Sequence, residues 1–138
     1  MEQKQVFLTE YDHDRLLELI ESAKEYYARD QDYLEQLEED LSRCRLVDSR
    51  SIPADVVTMN SRVRIRDLDT DKEMEVTLVF PQKANLEAGR LSILSPIGAA
   101  ILGGVQGQVV QRKVRSGIKQ IRIEAILYQP EAAGNFDL

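Results

Sequence analysis

The chain has 138 residues, of which 43% are hydrophobic and 30% charged, with a net charge of −6 and a single cysteine. That length suits one ordinary domain, or a small domain with an appendage. No apolar run approaches the roughly 18 residues of a membrane span, the opening residues lack a signal-peptide pattern, and Cys44 has no partner for an internal disulfide, so a reducing cytoplasm is the expected setting.

Charge is unevenly placed. Residues 1–50 hold 14 Asp/Glu against 7 Lys/Arg, and residues 51–138 hold 10 against 11. An acidic N-terminal half argues against wrapping nucleic acid, which requires a basic surface to replace counterions. It suits a basic protein surface, a cation-rich site, or simply a solvated helical face.

Thr9 begins the first element. Thr9-Glu-Tyr-Asp12 fits the capping box, and Leu16, Ile20, Ala23 and Tyr27 then mark one stripe of an amphipathic helix. A second stripe, Leu34, Leu37, Leu41 and Cys44, has the 3-4-3 spacing of a coiled-coil seam. No Pro or Gly interrupts Ala28-Arg-Asp-Gln-Asp32, so one continuous helix is possible. An antiparallel pair is preferred, because neither stripe stays buried alone and Asp30 is a good cap for a second helix. Helices of roughly 16 residues would make a finger about 24 Å long.

Residues 47–55 read as a linker stopped by Pro53. The apolar period then becomes two. Val63 and Ile65 alternate with Arg62, Arg64 and Arg66. Asp67 to Lys72 reads as a hairpin turn, and Met74, Val76, Leu78 and Phe80 form one face of the next strand. Leu91 and Ile93 alternate toward Ser95-Pro96, where a serine cap and a proline at the first turn start a short helix, Pro96 to Leu102. Val109–Val114 and Ile118–Tyr128 are two more strands, with Ile121, Ile123, Ala125 and Leu127 expected on one face. The expected fold is α+β: a short antiparallel helical hairpin in residues 1–48, then an antiparallel sheet with one helix in residues 49–138.

Chemistry-bearing patterns are few. His13, in the first helical turn, is the only histidine, and with Cys44 it makes too small a set for a nucleophilic triad or a zinc site. Cys44 on an apolar stripe reads as a small hydrophobe. Gly98, Gly103, Gly104 and Gly107 match neither a P-loop nor a dinucleotide fingerprint. Asp30, Asp32 and Glu35 cluster near the finger tip, where carboxylates hold Mg²⁺ in some sites and cap helices in many more. Asp67, Asp69 and Asp71 resemble half a calcium loop without its glycine and distal Glu, so a turn is expected. The arginines 62, 64 and 66 form either a solvated face or a contact for an acidic partner.

At Leu91-Ser-Ile-Leu-Ser-Pro-Ile-Gly-Ala-Ala-Ile-Leu-Gly103 the sequence resembles the C-terminal domain of the Gre-type transcript cleavage factors, over about residues 55–128. Gly107-Gln108 stands where that family has Gly-Asp. The sequence is more similar to one branch, Rnk, described as regulators of nucleoside diphosphate kinase, in Val56-Val-Thr-Met-Asn-Ser-Arg-Val63, Ser95-Pro-Ile-Gly-Ala-Ala100 and Tyr128-Gln-Pro-Glu-Ala-Ala-Gly134. The last of these has no obvious general structural purpose.

The resemblance implies an FKBP-like C-terminal domain, a short N-terminal coiled coil, and RNA polymerase as partner. It further implies a docking element at Ser95 and Pro96, shaped by Ile97, Gly98, Ala99 and Ile101, with Asp30, Asp32 and Glu35 at the finger tip. A Gre finger enters the polymerase secondary channel, and its acidic tip holds a Mg²⁺ for transcript hydrolysis. Here Ala28-Arg-Asp-Gln-Asp-Tyr33 lacks the family's tip pattern, and the finger is short. FKBP-like prolyl isomerase activity is not expected either, since Phe80, Tyr128 and Phe136 are the only aromatics after residue 50.

The expected function is therefore a polymerase-binding regulator that competes with Gre factors. It would have no catalytic residues, metal, cofactor, sequence-specific nucleic-acid contact or membrane contact. A monomer is expected, with pairing of the Leu34/Leu37/Leu41 stripe between chains as the alternative. The other functional readings are a true cleavage factor using Asp30 and Asp32, and an adaptor acting on nucleoside diphosphate kinase.

Overall fold

A computed structural model describes residues 7–26, 31–114, 117–136 and 138. The chain divides into two compact units, Met1–Ile52 and Pro53–Leu138.

In the first unit, strand β1 (Phe7–Thr9) leads directly into helix α1 (Glu10–Tyr26), and helix α2 (Gln31–Ser42) is followed by strand β2 (Arg45–Val47). The Thr9 hydroxyl accepts a hydrogen bond from the Asp12 amide at 3.0 Å, so the cap expected at Thr9 is formed. Leu16, Ile20 and Ala23 on α1, and Leu34, Leu37 and Leu41 on α2, are all buried. Lys24 Nζ donates to both carboxylate oxygens of Glu38, at 3.2 and 3.3 Å. In one continuous helix, residues fourteen apart would lie about 21 Å from each other. The chain therefore folds back, bringing α1 alongside α2. Asp30, the cap expected for the second helix, lies outside the described residues.

Sequence periodicity misses the two short strands of this unit. β1 and β2 pair in parallel, with Leu8 opposite Leu46. Three residues are too few to display an alternation.

In the second unit the strands are β3 (Arg62–Asp67), β4 (Lys72–Val79), β5 (Arg90–Ser92), β6 (Val109–Val114) and β7 (Gly117–Tyr128), with helix α3 (Pro96–Ile101) between β5 and β6. Their order across the sheet is β5-β4-β3-β7-β6. Val63, Ile65, Val76, Leu78, Leu91, Ile121 and Ile123 are buried, as are Ile93, Ala99 and Ile101 in and before α3.

Three expectations require correction. The sheet is mixed, not antiparallel throughout, because β5 runs parallel to β4. Between them the chain returns through two 3-10 turns, Pro81–Lys83 and Leu86–Ala88; alternation at Leu91 and Ile93 marks a strand but not its direction. Nor do Ile121, Ile123, Ala125 and Leu127 share a face. The β3–β7 register shifts twice, so that Ile65 pairs with Ile123 but Arg64 with Ala125, and Val63 with Ile126 but Arg62 with Tyr128. Glu124 and Leu127 are the extra residues, and each bulge moves the residues beyond it to the other face. Leu127 is accordingly exposed. Met74, at the hairpin end of β4, is also exposed although its alternation marks it as core.

Candidate functional site

The start of α3 is held from three directions. The Ser92 carbonyl accepts from both the amide and the hydroxyl of Ser95, at 3.0 and 2.7 Å. Ser95 Oγ in turn accepts from the Gly98 amide at 3.1 Å, satisfying one of the free donors of a helix start. Pro96 occupies the first helical position, where its missing N–H costs nothing. Gly98 is required by close approach, since a Cβ there would lie 2.2 Å from the Ser92 carbonyl oxygen.

The end of α3 is held as well. Gly103 adopts φ +75°, the left-handed conformation that stops a helix without steric cost. Its amide donates to the Val57 carbonyl at 2.8 Å, and the Val57 amide donates to the Gly104 carbonyl at 2.9 Å. A Cβ on Gly104 would lie 2.5 Å from Ile123 Cδ1.

The loop that holds α3 is itself clamped by the C-terminal tail. Gln129 Nε2 donates to the carbonyls of Pro53 and Val56, both at 2.8 Å. The Thr58 hydroxyl donates to Glu131 Oε1 at 2.6 Å and contacts the Ser61 hydroxyl at 2.9 Å. Asn60 completes the turn at φ +67°. Residues 56–63, 95–104 and 128–134 thus form one hydrogen-bonded assembly. The tail motif, without evident structural purpose in the sequence, ties down the loop that positions α3.

On α3, Pro96 is exposed and Ser95 and Ile97 are half-buried, whereas Gly98, Ala99 and Ile101 are buried. The available surface is therefore Pro96 with the flanks of Ser95 and Ile97. The buried three set the position of that surface from below.

The other sequence candidates lie apart. Asp32 is at the second position of α2, with its side chain outside the described residues, and Glu35 is exposed. Among the described residues no three His, Cys, Asp or Glu side chains form a metal-holding group. Asp67 accepts from the Asp69 and Thr70 amides at 2.9 and 3.4 Å and from Lys119 at 2.8 Å. These donors, Lys119 first, hold its carboxyl below the usual carboxylate range. Asp67 thus serves its own hairpin, as the turn reading expects.

Arg62, Arg64 and Arg66 face acidic residues of the neighbouring strands and of the β3–β4 turn. Arg62 meets Glu75 at 2.7 Å, Arg64 meets Glu73 and Glu75 at 3.4 Å, and Arg66 meets Glu73, Asp71 and Glu124 at 2.6, 3.1 and 3.1 Å. Cys44 is half-buried with its thiol 3.3 Å from the Asp40 carbonyl oxygen. Burial, and then the Asp40 charge, push that thiol up to about 11, away from nucleophilic use. His13 is half-buried in the first turn of α1.

A mixed α+β domain with a proline-started helix locked beside a parallel edge strand has counterparts among known proteins. Residues 52–128 match the profile of the GreA/GreB transcription elongation factor C-terminal domain, and the chain belongs to that family. Residues 4–47 match the Rnk N-terminus. The Escherichia coli (strain K12) regulator of nucleoside diphosphate kinase is 39% identical over 102 residues, covering 72% of this chain and 74% of that protein. GreA of Chloroherpeton thalassium is 38% identical over 103 residues, covering 75% of this chain but only 65% of that protein. The solved structure of a GreA/GreB transcription elongation factor from Nitrosomonas europaea superposes with a TM-score of 0.72 at 33% identity, covering 90% of this chain and all of that one. Among the described residues, no helix is long and apolar enough to cross a membrane.

Proposed function

We propose that this protein is a transcription regulator that binds RNA polymerase through the start of α3, occupies the rim of the secondary channel, and competes there with Gre factors without cleaving the transcript. In this reading Pro53–Leu138 is the FKBP-like docking domain, and the two-helix unit is a short acidic coiled coil at the channel entrance. The supporting observation is the double lock on α3, which fixes an exposed Pro96 within a domain of the GreA/GreB family. Ser95, Pro96 and Ile97 make the contact. Gly98, Ala99 and Ile101 hold it at the correct height.

Reach separates competitor from cleavage factor. Helix α1 has 17 residues and α2 has 12, about 26 and 18 Å at 1.5 Å per residue. A finger of roughly 30-residue helices extends about 45 Å. In this reading the carboxylates that the sequence assigns to the finger tip, Asp30, Asp32 and Glu35, stop at the entrance rather than at the catalytic centre. No metal, cofactor or enzymatic activity belongs to this reading, and its setting is the cytoplasm.

The test is a pull-down against core RNA polymerase, with a Gre factor as competitor. Binding should be displaced by the competitor and lost in Pro96→Ala/Ile97→Asp, with the fold intact by circular dichroism. Undiminished binding of that variant removes the docking assignment. Accelerated RNA cleavage in stalled complexes, abolished by Asp30→Asn/Asp32→Asn, identifies a cleavage factor instead.

A further inference from the structure

The solvent face of the sheet carries a feature separate from α3. Arg62 pairs with Thr77 across β3 and β4, and Thr77 pairs with Arg90 across β4 and β5. Register partners point to the same side, so arginine, threonine and arginine stand in one row on three neighbouring strands, each about 4.8 Å from the next. The adjacent partners Leu78 and Leu91 are buried, which sends this row to the opposite, open face.

A cavity of about 510 Å³ lies over the row, lined by Arg62, Glu75, Thr77, Ala88, Gly89 and Arg90. Its size falls within the range of small-molecule sites, about 300–1,000 Å³. Gly89, at φ +75°, closes one wall, where an added Cβ would approach the Glu75 carbonyl oxygen at 3.3 Å.

The donors in this cavity are unevenly used. Glu75, the one carboxylate, is bridged by Arg62 at 2.7 Å and Arg64 at 3.4 Å. Among the described residues, the Arg90 guanidinium and the Thr77 hydroxyl have no hydrogen-bond or ion-pair partner. Arg62 keeps further N–H donors beyond those facing Glu75. Two guanidiniums flanking a hydroxyl match a tetrahedral, multiply charged oxyanion, whose oxygens accept from several directions at once. A polar lining of this kind suits no apolar ligand.

We propose that the Arg62–Thr77–Arg90 row binds a phosphate-bearing small molecule, with the phosphate oxygens accepting from both guanidiniums and from the Thr77 hydroxyl. The site lies on the β3–β4–β5 face and is independent of the docking assignment for α3.

Pyrophosphate is the probe, titrated into the full chain at constant ionic strength while amide resonances are followed by NMR. Saturable shifts centred on Thr77, Gly89 and Arg90 are expected. Arg90→Gln should weaken binding about tenfold, the loss of one charge-assisted hydrogen bond, and Thr77→Val should weaken it less. Both positions are on the open face, and unchanged thermal unfolding shows that each variant is folded. If Arg90→Gln does not fold, Arg90→Lys keeps the charge, loses the fork, and should weaken binding in the same sense. Absence of saturable shifts in the row, equal response to malonate, or undiminished affinity in the Arg90 variants would overturn the proposal.

Discussion

Gly98 is the residue at which the site tolerates least change. Alanine there places its Cβ against a backbone oxygen that cannot swing away. Gly98→Ala should cost about 2 kcal/mol, the usual scale of overpacking, and thermal denaturation will show it as a lowered Tm. Ser95→Ala should cost about 1 kcal/mol, the ordinary loss of a helix cap. Cys44 is a contrasting residue, where environment silences chemistry. Its thiol titrates near 11 against an ordinary 9.0, so folding favours the neutral form. That contribution is complete below pH 9.0 and lost as pH rises through about 11. At pH 8, iodoacetamide should alkylate Cys44 more slowly in the folded chain than in denaturant. Equal rates would contradict its half-buried position.

At the scale of elements, α3 owes its placement to segments far from it in sequence. Gln129 holds two carbonyls of the loop that receives Gly103. Gln129→Ala strands those carbonyls and should cost about 2 kcal/mol, while Glu131→Gln keeps an acceptor for Thr58 and should cost less. Chemical denaturation of both variants checks the order. The β3–β4 hairpin has an electrostatic tie of its own to β7, through Lys119 and Asp67. Asp67 is held low, so its share of stability is present above its ordinary value of 3.8 and fades as pH falls through the depressed folded one. Lys119 is raised, chiefly by its hydrogen bond to Asp67, so its share persists through neutral pH. The stability gap between the native chain and Lys119→Met should accordingly shrink as pH drops below 3.8.

At the scale of the whole molecule, the acidic and neutral parts of the sequence correspond to separate compact units. The apolar residues of the sheet and α3, from Val56 to Ile123, all belong to the second unit. A fragment of residues 53–138 should therefore keep a cooperative unfolding transition by circular dichroism. A broad, non-cooperative melt would show that its core is incomplete. In the proposed regulator, the same fragment retains the α3 surface and lacks the finger.

Much of this was legible in the residues alone. Ser95-Pro96, the paired Gly103-Gly104 and the alternation along β3 and β4 act through neighbours a few positions away, so local sequence determined the cap, the stop and the strands. The two helical stripes likewise announced their need for mutual cover. Tertiary structure decided what depends on distant partners. The Glu124 and Leu127 bulges arise from register against β3, and no pattern within β7 reveals them. The direction of β5 depends on how residues 80–89 return. The purpose of Gln129 and Glu131 exists only once the tail meets Pro53, Val56 and Thr58, more than seventy residues away. The arginines 62, 64 and 66 declared their charge in the sequence; folding decided that carboxylates of β4, β7 and the hairpin turn answer them, and that Arg90, aligned with Arg62 only by folding, has no such partner among the described residues.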